Sequence, residues 1–133
     1  MSENIFKVFG KQTKETLLEI IAKCMDDYLF VYDLQNDTIE LSESAVDRFM
    51  ISENVMNDVA NDVLQVVYEE DRKMLQEHLT AIYEGKEKAH NLHYRWLDKE
   101  GMPVWVNCRG IVIDDSQGKP QYLVGCMNET GNQ

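Results

Sequence analysis

His90-Asn91-Leu92-His93-Tyr94-Arg95-Trp96-Leu97, followed by Asp98-Lys99-Glu100-Gly101 and then Val104-Trp105-Val106-Asn107-Cys108-Arg109-Gly110-Ile111-Val112-Ile113, is the stretch that decides this fold. Two runs rich in aromatic and β-branched residues flank a short turn that ends on glycine, the signature of a hairpin. Asp114-Asp115-Ser116-Gln117-Gly118-Lys119-Pro120 supplies a second turn, and Tyr122–Met127 a third run. The spacing predicts a three-stranded antiparallel meander over His90–Leu97, Val104–Ile113 and Tyr122–Met127. Side chains alternate along a strand, so such a sheet has one dry face and one second surface.

Working outward, Glu70–Tyr83 reads as a helix that ends at Gly85, a residue suited to the left-handed stop. Met74, Leu75, His78, Leu79 and Ile82 line one of its faces. The acids Glu69, Glu70 and Asp71 suit its positive N-terminal end. Tyr28–Leu34 is a dense apolar run of strand length, Gln35-Asn36-Asp37 a turn, and Thr38–Leu41 a paired second strand. Ser44 opens a short helix over Ala45–Met50, with Asp47 at capping-box spacing. Ile51–Asn61 is rich in Asn and Asp, which compete with helical hydrogen bonds, and is expected to form short broken helices. Near the start, Thr13–Met25 carries Leu17, Leu18, Ile20, Ile21, Cys24 and Met25 at helical spacing. That amphipathic helix must lay its stripe on its own sheet or on the same helix of a second copy. Leu17, Leu18, Ile20, Ile21 and Met25 are therefore candidate dimer-interface residues, and a homodimer is expected.

The chain has 133 residues and 44% apolar content, which fits one domain with a real core. Its 24 acids against 13 bases give a net charge of −11, which repels phosphate backbones and anionic lipid. Neither nucleic acid nor a membrane surface is an expected partner. No run reaches the roughly 18 apolar residues of a membrane span, and Met1–Gly10 has no apolar core of a secretory signal. Three cysteines without a close pair, Cys24, Cys108 and Cys126, suit a reducing cytoplasm and are read as small buried hydrophobes.

Several motifs together carry a resemblance. Tyr68-Glu69-Glu70-Asp71-Arg72 precedes the long helix, Tyr94-Arg95 lies on the next strand and Asp98-Lys99-Glu100-Gly101 in the turn. Val104-Trp105-Val106, Arg109-Gly110, Gly118-Lys119-Pro120 and Val124-Gly125 follow. In order and spacing the chain resembles a PAS domain of the PAS-3 subtype over residues 26–130, with a flanking helix over residues 1–25 and the start of a linker at 131–133. It departs where the family has His-Pro and this chain has Tyr68-Glu69, and where the family closes on Asp-Ile-Thr and this chain has Asn128-Glu129-Thr130. The resemblance implies an α+β fold: a five-stranded antiparallel sheet with helices on one face and an N-terminal amphipathic flanking helix. It also implies a sensory or regulatory role in a bacterial signalling protein, without catalysis of its own. Gly125-Cys126-Met127-Asn128-Glu129-Thr130 is similar to sequences that precede the GGDEF and EAL domains of cyclic-di-GMP synthesis and breakdown, which implies such a downstream output domain.

A small ligand held between sheet and helices is the first expectation, with Tyr32, Met50, Met74, His78, Leu92 and Tyr94 as candidate pocket residues. Methionine adapts to varied fillings, which makes Met50, Met56 and Met74 candidate walls as well as ordinary core. The second expectation is a dimerisation or interaction module with a filled core. The third, a small α+β-barrel enzyme of the isomerase type, needs an acid facing the pocket, and the strands show none away from turns. No cofactor is named by these residues. Haem would need an axial ligand such as His78, which reads better as a boundary residue of an apolar helix face. Asn107-Cys108-Arg109 matches part of the flavin-binding stretch of light sensors but falls on a strand rather than a helix, which argues against flavin. His90 and His93 point to opposite faces, and no metal site is expected from them. Phosphate-cradling loops, Cys-x-x-Cys and His-Glu-x-x-His are missing. Arg95 and Arg109 are expected to cover the sheet with their stems.

Overall fold

The structure, a computed structural model, describes residues 27–131. The flanking helix over residues 1–25, with its dimer-interface candidates Leu17, Leu18, Ile20, Ile21 and Met25, lies outside the described residues. In chain order the elements are β1 (Tyr28–Asp33), β2 (Thr38–Leu41), α1 (Glu43–Arg48), β3 (Val55–Asn57), α2 (Val59–Asp62), α3 (Arg72–Tyr83), β4 (Ala89–Leu97), β5 (Pro103–Asp114) and β6 (Pro120–Glu129). Single 3-10 turns at Leu64–Val66 and Glu69–Asp71 lead into α3.

The strands form one sheet in the order β3-β2-β1-β6-β5-β4, with antiparallel pairing throughout. The sequence predicts five strands and the sheet has six. The addition is β3, inside Ile51–Asn61, where broken helices were expected. Pairing with β2 satisfies its backbone, and it buries a single side chain, Met56. Three residues with one inward side chain give no readable alternation. The α+β class stands. Further along, α2 does supply a short helix of the expected kind. The N-terminus of α1 differs slightly from expectation: Ser42 precedes it, and its hydroxyl accepts the Leu29 N–H across the strand rather than capping the helix.

The last strand closes the fold by lying beside the first. Tyr28–Asp33 pairs with Tyr122–Met127 across nearly the whole chain, so β1 and β6 form the middle of the sheet. Two glycines, Gly110 on β5 and Gly125 on β6, sit directly opposite each other. A Cβ on Gly125 would lie 1.9 Å from the Arg109 carbonyl oxygen, so only glycine fits that close approach.

The core lies between the inner face of the sheet and the helical layer. Phe30, Tyr32, Ile39, Leu41, Tyr94, Trp96, Val106, Leu123 and Met127 fill the sheet side; Ala45, Val59, Val63, Leu75 and Ile82 fill the other. Gly85, at φ +75°, ends α3 and turns the chain into β4. Burial of this apolar surface, rather than helix propensity, holds elements as short as α1 and α2.

Candidate functional site

A cavity of about 40 Å³ remains at the centre of this core. Its walls come from both layers: Phe30, Tyr32, Ile39 and Leu41 from β1 and β2, and Val59, Val63, Leu75 and Leu79 from the helical side. His90, Tyr94, Trp96, Cys108, Leu123 and Met127 complete it from the meander. Strand parity explains the set, because His90, Tyr94 and Trp96 share one face of β4. No carboxylate is among the described residues that line it.

Of the pocket candidates, Tyr32 and Tyr94 line this cavity. Leu92 packs on the core from the same face of β4, half-buried, without reaching the cavity. His78 stands behind the wall, its ring 4.8 Å from that of His90. Met50 and Met74 are corrections: both lie on the surface, 41% and 40% exposed. The chain turns extended at Phe49, so the helical phase that would carry Met50 inward is broken, and Met50 lies by Gly101 instead. On α3 the inward stripe runs through Leu75, Leu79 and Ile82, one step round the helix from Met74.

Polar groups mark one end of the core. His90 is 3% exposed, and its Nδ1 has no partner among the described residues; the same is true of His78 Nε2. Burial, reinforced by the neighbouring His78, pushes the His90 pKa down to about 4. Burial lowers His78 as well, against the opposing pull of Glu87. On β1 the Tyr32 hydroxyl bonds to the Tyr83 hydroxyl and donates to Asp37 Oδ1 at 3.0 Å, linking the cavity wall to an exposed tyrosine. In the middle, burial raises Tyr94 well above its ordinary range and pushes the Cys108 thiol up to about 12, so both stay protonated.

The other end is aromatic and ionic. Phe49, fully buried, packs edge-on against Tyr28 at 5.1 Å and against the cavity-lining Trp96 at 5.4 Å. Outside it, Glu129 accepts from Arg48 Nε at 2.7 Å, from its second nitrogen at 3.0 Å, and from the Tyr28 hydroxyl at 2.7 Å. Trp96 Nε1 is buried there without a partner among the described residues.

Two further features lie on the outside of the sheet. Arg95 is held by both oxygens of Asp71, at 2.8 and 2.9 Å, between the rings of Tyr68 and Trp105. Hydrogen bonding from Arg95 lowers the Asp71 pKa. Arg95 therefore covers the sheet as expected, and Trp105 is half-buried in that stack rather than in the core. The second feature is a row of exposed apolar side chains, Val31, Val124 and Ile111, directly opposite one another across β1, β6 and β5. His93 faces outward to Thr130 at 2.7 Å, away from His90. No group of three potential metal ligands occurs among the described residues. No helix among them is long and apolar enough to cross a membrane.

A central antiparallel sheet closed by its first and last strands, with short helices over one face, meets a matching result from sequence. Residues 39–127 match the PAS_3 family, described as PAS fold. The chain belongs to the PAS fold family. Among solved structures, this PAS domain is similar to a sensory box histidine kinase/response regulator from Burkholderia thailandensis, with TM-score 0.63 and 17% identity over 85% of this chain and 83% of that one. It is similar also to the N-terminal domain of a diguanylate cyclase with PAS/PAC sensor from Marinobacter aquaeolei, with TM-score 0.64 and 16% identity over 77% and 94%. A domain of a putative light and redox sensing histidine kinase from Haloarcula marismortui gives 0.63 and 15% over 86% and 97%. No curated protein matches the sequence. At these identities the likeness carries the fold.

Phe49, Trp96, Leu123, Met127 and the Arg48–Glu129 pair were not singled out from sequence. Parity along β6 signals Glu129, two residues beyond the buried Met127 and so on the inner face. Nothing in the sequence signals its partner.

Proposed function

We propose that this PAS domain is the sensory or regulatory input of a bacterial signal-transduction protein, turning the packing of its core into a change at its exit strand. The core cavity, walled by both layers, carries this reading: filling it, or leaving it empty, changes contacts on the sheet and on the helices together. A guest can bias the domain only by its different affinity for two packings. The lining is apolar with a few uncharged polar groups, so the fitting ligand is small and neutral. Haem or flavin would require the walls to move apart, because about 40 Å³ accommodates only a few atoms. Acid–base catalysis of the isomerase kind has no carboxylate to use among the described lining residues, which supports a non-catalytic domain.

The output we favour is a cyclic-di-GMP enzyme, on the closing sequence Gly125–Thr130 and the diguanylate cyclase neighbour. The histidine kinase neighbours support the other output. A cytoplasmic setting fits the free thiols of Cys108 and Cys126. Fusing the domain ahead of a diguanylate cyclase output and measuring cyclic-di-GMP synthesis tests the role. Trp96→Phe or Leu79→Ala should change the rate, whereas folded variants with an unaltered rate would sink it.

A second reading, an interaction module, is favoured by the exposed row Val31–Val124–Ile111, an apolar stripe unusual for a solvated face. Here residues 13–25 would carry a homodimer. Light scattering on residues 26–133 tests this: loss of a dimer supports the flanking helix as the interface, and a retained dimer assigns it elsewhere.

A further inference from the structure

We propose that Glu129 is the latch by which the packing of the core reaches the chain's exit, with Arg48 and Tyr28 as the two arms that hold it; the proposal rests on the relay reading above. Glu129 ends β6 opposite Val106, a buried inner-face residue, so its carboxylate points toward the helical side. Both of its oxygens are engaged, Oε2 by Arg48 Nε and the Tyr28 hydroxyl, Oε1 by the second Arg48 nitrogen. Both arms meet at one ring. Arg48 is the backbone neighbour of Phe49, and the Tyr28 ring packs on Phe49 at 5.1 Å. Phe49 in turn packs on Trp96 at 5.4 Å, and Trp96 forms part of the cavity wall.

The path from cavity to exit is therefore Trp96, Phe49, then Arg48 and Tyr28 together, then Glu129. Two-point pairing of a guanidinium with a carboxylate is geometrically demanding. A displaced Phe49 carries the donors of both arms with it, so the pairing is made or broken as a unit. The next residue is held from the other side: the Thr130 N–H donates to the Trp105 carbonyl at 3.0 Å, and its hydroxyl meets His93 at 2.7 Å. Release of Glu129 leaves the exit tied to the meander alone. Hydrogen bonding from Arg48 lowers the Glu129 pKa, which keeps the carboxylate ionised and the latch closed at neutral pH.

Amide hydrogen exchange at Thr130, followed by NMR on the 133-residue chain, tests the latch, with the buried Val112 of β5, whose N–H donates to the Lys88 carbonyl at 2.9 Å, as the reference for global stability. In the otherwise native protein, Trp96→Phe should change Thr130 exchange about fivefold or more relative to Val112. With Glu129→Gln in place, the same change should stay within about twofold. Leu79→Ala, on the half-buried wall, repeats the perturbation should Trp96→Phe not fold, and Arg48→Gln must reproduce Glu129→Gln. An equal response with and without Glu129 overturns the latch and leaves the relay standing. Silence at Thr130 in both backgrounds overturns the relay and the latch together. Disagreement between Arg48→Gln and Glu129→Gln also overturns the latch.

Discussion

The two ends of the core solve the same packing problem in opposite ways. At the Phe49 end, three aromatic rings interlock and their surroundings are pinned by Arg48 and Glu129. At the His90 end, the buried His90 ring lies against the half-buried His78 ring, each with a ring nitrogen unpartnered among the described residues. The first end gains from the burial of three rings and leaves one buried polar atom, Trp96 Nε1, without a partner among the described residues. The second carries buried polar atoms whose desolvation is not repaid, so it is the end whose stability conditions can change.

The largest expected effect tests the rigid end. Phe49→Ala should cost about 3–5 kcal/mol of unfolding free energy, because a fully buried ring leaves a cavity that Tyr28 and Trp96 cannot fill. Chemical denaturation measures it, and a loss near 1 kcal/mol would show that this end is no tighter than the other.

Next comes the polar end, probed by pH. The folded-state pKa of His90 lies below its ordinary 6.5, at about 4, so the neutral ring is the one that fits the fold. Stability is then fully present above pH 6.5 and declines as the pH falls toward 4, by roughly 3 kcal/mol from His90. His78, lowered in the same direction, adds to the decline. His90→Leu should flatten most of this dependence in urea melts; an unchanged slope would place the proton uptake elsewhere.

Tyr32→Phe removes the hydroxyl that donates to Asp37 at 3.0 Å and should cost about 1 kcal/mol, read from the shift of the urea midpoint. The smallest effect returns to the first end. Arg48 and Glu129 are both more than a third exposed at their side chains, so their pairing should contribute at most about 1 kcal/mol, the free energy of a roughly fivefold change in opening, and weaken in salt. A double-mutant cycle measures that coupling. A value well above 1 kcal/mol would make the pair a structural staple rather than a latch that opens easily.

Much of the fold was legible. The meander declared itself through alternation and turn chemistry, α3 through its stripe and Gly85, and β1 and β2 through a short apolar run and an Asn-Asp turn. The site was legible in part. Tyr32 and Tyr94 lie on the strand faces that turn inward, a choice the sequence left open, whereas Met50 falls beyond the end of α1 and Met74 sits one step off the inward stripe of a regular α3. Strand β3 escaped because three residues that bury one methionine leave no period to read.

Local chemistry written in the sequence determined the class of the fold and the meander, because alternation and turn residues act over a few neighbours, whereas the register and the face that turns inward came from the tertiary structure. Tertiary structure alone decided the sixth strand, the size of the cavity, the unpartnered histidines and the joining of Arg48 to Glu129. Those features depend on residues brought together from distant segments, as when β6 returns to lie beside β1. No local pattern encodes how much space is left when the two layers close.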